Sequence, residues 1–257
     1  MIDILFPTWN RREFTRFSLQ MLLDNTDWSK VNRLIVHDDG SDGKEGTVKL
    51  LREMLADPPV ETHIHARPWG VRFASPPAVM NWYIENFGDS ERFAKIDSDI
   101  VVPPDWLTHL LAVVERKPEI ELLGMEAGRM GPPGHNGKPW YWDRPTEGYE
   151  FERGSHIGGV GLMKTLSFQI RPKMLEGEGR FGFTEWQHEY RPVRGWINPD
   201  LLVSELTRIP FEPWVGLSAK YVERDWEREW PKYHERWRYW WGWWPEEYRE
   251  QESEEWR

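Results

Sequence analysis

Two acidic clusters in this sequence have the residue types and spacing to hold a ligand. Asp97-Ser98-Asp99 closes the apolar stretch 92–96. Two carboxylates one residue apart at a strand end can approach one ligand from adjacent sides. Their oxygens suit hard cations such as Mg²⁺ or Mn²⁺, which often complete their shell with phosphate and water. A diphosphate on such a cation is a better leaving group, because the cation offsets the charge that develops on it. The same three residues also read as a solvated turn. Asp38-Asp39-Gly40-Ser41 follows a second apolar run. A carboxylate there can accept hydrogen bonds from the edge of a base, for example a uracil imide. The competing reading is an Asx turn or a helix N-cap. Arg67 and Arg72 flank the loop after a third run and are placed to meet phosphates, although surface arginines are common.

The elements that must position these groups alternate. Ile2–Phe6 reads as a strand, 12–24 as a helix, 33–37 as a strand and 44–55 as a helix. A strand over 60–65, a helix over 73–87, a strand over 92–96 and a helix over 105–116 continue the pattern. Strand, loop and helix in repetition predict an α/β fold with a mostly parallel sheet and crossover helices. Ligands of such sheets bind outside the carboxyl ends of the strands. The polar clusters at 8–11, 38–42 and 97–99 all fall at such ends. The stretch 128–154, rich in Gly, Pro, Trp and Tyr, reads as a long irregular excursion. Residues 157–163 return to strand character, with glycines where a backbone or ligand can approach closely. A loop over 177–182, a helix over 184–190 and a strand near 201–203 follow.

Composition narrows the classes. The chain has 257 residues, a formal net charge of -10 and no cysteine. Disulfides, thiolate nucleophiles and cysteine metal sites are excluded. The acidic balance argues against a general nucleic-acid coat. An acidic protein that handles a phosphorylated ligand needs a cation between the two. No apolar run reaches membrane-spanning length. The N-terminus enters a strand directly, so the expectation is a soluble, cytoplasmic protein.

Taken together, these residues carry a resemblance. Phe6-Pro7-Thr8-Trp9-Asn10-Arg11, Val36-His37-Asp38-Asp39-Gly40-Ser41-Asp42-Gly43, Asn81 and Ile96-Asp97-Ser98-Asp99 resemble the N-terminal half of glycosyltransferase family 2. Gly158-Gly159-Val160-Gly161-Leu162-Met163, then Phe183-Thr184-Glu185 and Pro199-Asp200, resemble its second half. The resemblance covers roughly residues 1–207. It implies a GT-A fold: a single Rossmann-like domain over 1–215, divided into a nucleotide-binding half (1–100) and an acceptor half (101–215). It implies a nucleotide-sugar donor, with a UDP-sugar favoured, a Mn²⁺ or Mg²⁺ cofactor, and inverting transfer to an acceptor hydroxyl. Thr8 and Asn10 would lie near the nucleotide and Asp39 would read the base. Asp97, with Ser98 beside it, would contact the ribose or the metal. Asp99 would be the main metal ligand. Glu185 matches the acid that serves as general base, a role that typically contributes about 10²–10⁴-fold. Glu189 and His188 are the fallbacks. As a purely structural alternative, Glu185 is an acid at a helix N-terminus capped by Thr184.

Two departures from the family pattern stand out. Trp186 occupies a position that is commonly a second acid, where it would stack on an acceptor or belong to the core. His188 is the other acceptor-contact candidate. No histidine follows the Pro-Asp segment, so Glu205, His156 or no protein group supplies the third metal ligand. Beyond the resemblance, 216–257 reads as a helical extension holding many of the 18 tryptophans. Trp226, Trp230, Tyr233, Trp237, Trp240 and Trp244 recur at steps of four and three, on one helix face. That face is expected to pack on the catalytic domain; an acceptor platform, an oligomer contact or a membrane-surface helix are the alternatives. The acceptor and the oligomeric state are not written in the sequence. Glycans, lipid-linked precursors, small molecules and hydroxymethylated bases of phage DNA all fit, the last implying a phage-encoded enzyme in a host cytoplasm. A nucleotidyltransferase and a non-catalytic nucleotide-sugar-binding module are the rival readings.

Overall fold

Strand β1 (Ile2–Thr8) is buried along its whole length, as expected of a strand covered on both faces. It is the centre of a computed structural model that describes residues 1–10, 12–41, 43, 46–66, 75–127, 148–158, 160–174, 181–198 and 202–205. Around it lie α1 (Arg12–Asn25), β2 (Val31–Asp38), α2 (Thr47–Met54), β3 (Glu61–Ala66), α3 (Ser75–Phe87) and β4 (Arg92–Lys95). Next come β5 (Ile100–Val101), α4 (Trp106–Arg116), β6 (Leu122–Gly124), β7 (Glu126–Ala127) and β8 (Glu150–Arg153). The second half closes with β9 (Gly161–Lys164), α5 (Thr165–Gln169), α6 (Phe181–Tyr190), β10 (Arg194–Asn198) and β11 (Leu202–Glu205).

Eight strands form one sheet in the order β3-β2-β1-β4-β9-β6-β10-β8. β3, β2, β1 and β4 are parallel, and β10 is parallel to β6. β9 runs against both β4 and β6, and β8 against β10. The sheet is therefore mostly parallel but mixed. Two reversals around β9 leave β6 and β10 running in the same sense as β1 and β4. A smaller sheet pairs β11 with β5 and β7.

Period-two alternation sorts the core. Ile4, Phe6, Leu34 and Val36 join one buried cluster with Leu19, Leu22, Leu110 and Trp106. Leu5, Ile35 and Phe93 point the other way, into a cluster with Val79, Tyr83, Phe168 and Trp186. Buried Asp3 is tolerated because Arg33 grips it with two donors, at 3.1 and 2.7 Å, and Tyr83 donates a third bond at 2.9 Å.

The expected alternation holds in the first half, and the differences lie mostly in the second. Of the strand expected over 157–163, only β9 forms. Upstream of it, the Ile157 backbone bonds to the Gln187 side chain through both its N–H and its C=O, at 2.8 and 3.1 Å. Gly161 does sit where a backbone approaches closely. Its φ is +151°, and a Cβ there would lie 2.3 Å from the Leu123 carbonyl oxygen. Helix α6 starts at Phe181, ahead of the expected 184, so Thr184 lies inside the helix and is not its cap. β8 ends the stretch read as wholly irregular, and β6 and β10 are additional strands. Most of that excursion, Pro199-Asp200 and the tryptophan extension fall outside the described residues. No helix among the described residues is long and apolar enough to cross a membrane.

Candidate active site at the carboxyl ends of the strands

Register brings the ends of β1 and β2 level, with Thr8 opposite Asp38. One residue further, the Asp39 N–H donates to the Thr8 carbonyl at 2.9 Å, so Asp39 is fixed beside the end of β1. Asp38 builds the turn that follows: its carboxylate accepts the Ser41 N–H at 3.0 and 3.2 Å. The Ser41 hydroxyl in turn accepts the Asn10 N–H at 2.7 Å. Asn10 adopts a left-handed φ of 51°, a conformation that asparagine tolerates better than most residues. The Thr8 hydroxyl shares a 2.8 Å hydrogen bond with Thr15 of α1. Thr8 and Asn10 therefore organise this corner through backbone and buried contacts. Burial pushes the Asp38 carboxyl above its ordinary pKa, against the opposing bonds from Ser41. Asp39 is 3% exposed.

The acidic turn leaves β4 on the other side of β1. Ile96 donates to the Leu5 carbonyl at 3.0 Å, and Ile100 closes the turn by donating to the Asp97 carbonyl at 3.0 Å. The Ser18 hydroxyl of α1 bonds to the Asp97 carbonyl at 3.3 Å and also to the Ile100 carbonyl. The Asp97 carboxylate is ion-paired with the fully buried ammonium of Lys95 and remains one-third exposed. Ser98 is buried and Asp99 half-buried. β2 and β4 flank β1 directly, so Asp39 and Asp97 stand two strand spacings apart, about 10 Å. In the smaller sheet, the backbone of Glu205 pairs with Ile100, next to Asp99.

Helix α6 is tied to the same rim by a chain of contacts. Lys95 pairs with Gly161, and Gly161 with Gly124. Gly124 lies so close to Ile157 that a Cβ on it would come within 2.9 Å of the Ile157 side chain. Ile157 is the residue clamped by Gln187 of α6. Glu185, two residues earlier, is exposed, as are His188 and Glu189. Asn81 of α3 fixes the approach to α6 by bonding both backbone groups of Met174, at 2.9 and 3.1 Å.

Trp186 takes the core alternative and not the acceptor contact. It is 3% exposed, its ring is stacked on Phe168 at 4.7 Å, and its indole N–H donates to the Pro172 carbonyl at 2.9 Å. His156, a candidate metal ligand, lies beside His188 with ring centroids 6.1 Å apart. Arg67 and Arg72 fall outside the described residues. Lys95, Ser18 and Gln187 are site-building residues that sequence reasoning missed. A lysine within an apolar strand, two residues before an aspartate, was the available signal for Lys95.

The donor set at 97–99 is made of hard oxygens, the right chemistry for Mg²⁺ or Mn²⁺. Among the described residues no group of three or more acids and histidines converges. Two carboxylates on one turn would leave most of a cation's shell to ligand phosphates and water.

Residues 3–169, well over half of the chain, match the family described as Glycosyl transferase family 2. No curated protein matches the sequence. Among solved structures, the mannosyltransferase PcManGT from Pyrobaculum calidifontis, in complex with GDP-Man and Mn²⁺, is similar at a TM-score of 0.59 and 14% identity, over 79% of this chain and 56% of that one. S. aureus TarS 1-349 is similar at 0.55 and 13% identity, over 85% of this chain and 64% of that one. The same protein in complex with UDP gives 0.55 and 12%, over 77% and 57%. The chain thus spans less than two thirds of the length of each. A shared GT-A architecture and a family match that takes in β1, β2 and the acidic turn after β4 lead to one assignment: the chain belongs to glycosyltransferase family 2.

Proposed function

We propose that the chain is an inverting glycosyltransferase of the hexosyltransferase type, which moves a sugar from a nucleotide-sugar to an acceptor hydroxyl. The observation that carries this reading is the gathering of Asp39, Asp97 and Asp99 at the carboxyl ends of β2 and β4, the two strands that flank β1, on the ligand edge of such sheets. GDP-Man and UDP in the two neighbours support a nucleotide-linked donor. A UDP-sugar is the donor favoured here, with Asp39 accepting from the imide of the base.

Asp97 and Asp99 would hold Mn²⁺ or Mg²⁺, which when bound offsets the charge that develops on the departing nucleoside diphosphate. Lys95 keeps the Asp97 carboxylate in place through a buried charge pair. Ser18 fixes the backbone of the same turn. Glu185 is exposed on α6 and takes the proton of the acceptor hydroxyl as the oxygen attacks the anomeric carbon. Direct attack on the face opposite the leaving group inverts that carbon.

Incubation with Mn²⁺ and a panel of nucleotide-sugars, read by release of free nucleotide, tests the reading. One donor should be hydrolysed slowly without acceptor, and EDTA should stop the release. No release from any donor, with no nucleotide-sugar bound, would overturn it.

A further inference from the structure

Arg153, Arg191, Arg194 and His188 line an open cavity of about 390 Å³, completed by Gly154 and Pro192. None of its lining residues is acidic. Among the described residues, no ion pair engages any of the three arginines. Arg194 is held by a backbone group instead, its Nε donating to the Ser155 carbonyl at 2.7 Å. Burial first, and then the charge of Arg191, push the Arg194 guanidinium below its ordinary pKa. It stays charged at neutral pH all the same. The adjacent acid, Glu189, is exposed and does not line the cavity.

Arg191 follows the last residue of α6 in a left-handed conformation, with φ of 44°, and its N–H closes on the Gln187 carbonyl. Helices commonly end this way on glycine. A residue with a Cβ is disfavoured there. A cation at this position therefore concentrates charge on the cavity at some expense to the backbone.

The cavity is separate from the donor edge. β10 lies three strands from β4, roughly 14 Å across the sheet, and Arg194 opens β10 level with Leu122 and Phe93, toward the amino ends of the strands. Glu185 is not among the lining residues but stands one helical turn before His188, which is, and that spacing puts the two Cβ atoms about 5–6 Å apart. We propose that this cavity binds a phosphate group carried by the acceptor and so presents the acceptor hydroxyl to Glu185. The proposal rests on the glycosyltransferase reading. Guanidinium forks match phosphate oxygens in pairs, and several of them together favour a dianion. The volume suits one phosphorylated sugar. Net charge of -10 disfavours a long polyanion such as duplex DNA.

Binding of inorganic phosphate and of glycerol 3-phosphate, read by calorimetry and by ³¹P NMR without nucleotide or metal, tests this. Both should bind the full chain. Arg153→Gln combined with Arg191→Asn should weaken both at least about tenfold, and Asp99→Ala should leave both unchanged. Arg153→Gln alone, on an exposed strand residue, should weaken binding severalfold if the pair fails to fold. Undetectable binding to the wild-type chain at about 10 mM, or equal binding by the wild type and the variants, would overturn the proposal. Binding of a short DNA duplex in preference to either small anion would also overturn it. Donor hydrolysis is read separately, so a failure here leaves that result standing, and the reverse.

Discussion

The buried ammonium of Lys95 is ion-paired with the Asp97 carboxylate, two residues further along the chain. Residues two apart on an extended chain share a face, so Lys95 at the end of β4 and Asp97 just beyond it put the cation and the acid on one side. Lys95→Met leaves Asp97 without this partner, while water still reaches the one-third-exposed carboxylate. The expected loss is about 1–3 kcal/mol, smaller than for a fully buried pair. Urea unfolding measures it. Nucleotide affinity should fall as well, because the acidic turn loses its anchor.

Glu185→Gln should fold normally, since the side chain is exposed. It should bind the donor with unchanged affinity and transfer about 10²–10⁴-fold more slowly. Single-turnover assays with the acceptor separate binding from chemistry. A rate equal to wild type would move the base to Glu189 or His188.

Gly161→Ala should be strongly destabilising. The new Cβ would meet the Leu123 carbonyl oxygen at 2.3 Å, at a φ that side chains rarely adopt. Neither strand can move away, because β9 is paired on both edges, to β4 and β6. A loss of roughly 2–4 kcal/mol is expected in denaturant titration.

Glu121 joins the start of β6 to α5 and to the segment before β10. Burial works to raise its pKa, but Arg171, Ser167 and the Val193 N–H outweigh it and hold the carboxyl below its ordinary value. A carboxylate with a lowered folded-state pKa adds stability above its unfolded value, about 4.3. That stability is lost as pH falls through the lower folded value. Glu121→Gln should therefore cost about 1–3 kcal/mol near neutrality. Its stability should also depend less on pH below about 4.5. Thermal melts across pH measure both effects.

The first half of the fold was legible because its signals are local. Apolar runs such as 33–37 end at dense turn residues, and a parallel sheet then places every carboxyl end on one edge. Asp39, Asp97 and Asp99 could be found that way. The second half depends on partners distant in the chain. β6 and β10 are short and paired only through tertiary contacts, and Ile157 is held by a glutamine side chain instead of a strand. Trp186 could be weighed but not placed from sequence, because core and platform tryptophans look alike. The arginines of the acceptor-side cavity are scattered from 153 to 194, and only the β8–β10 pairing and the end of α6 bring them together.

The central claim is that the acids at the ends of β2 and β4 form one nucleotide site with a divalent cation. Calorimetric titration of the hydrolysed nucleotide-sugar, with and without Mn²⁺, into wild type, Asp39→Asn and Asp99→Ala tests it most directly. The account predicts Mn²⁺-dependent binding to wild type. Asp39→Asn should weaken it about tenfold or more with the metal dependence kept, and Asp99→Ala should remove the metal dependence. Wild-type affinity in both variants, with or without Mn²⁺, would contradict it.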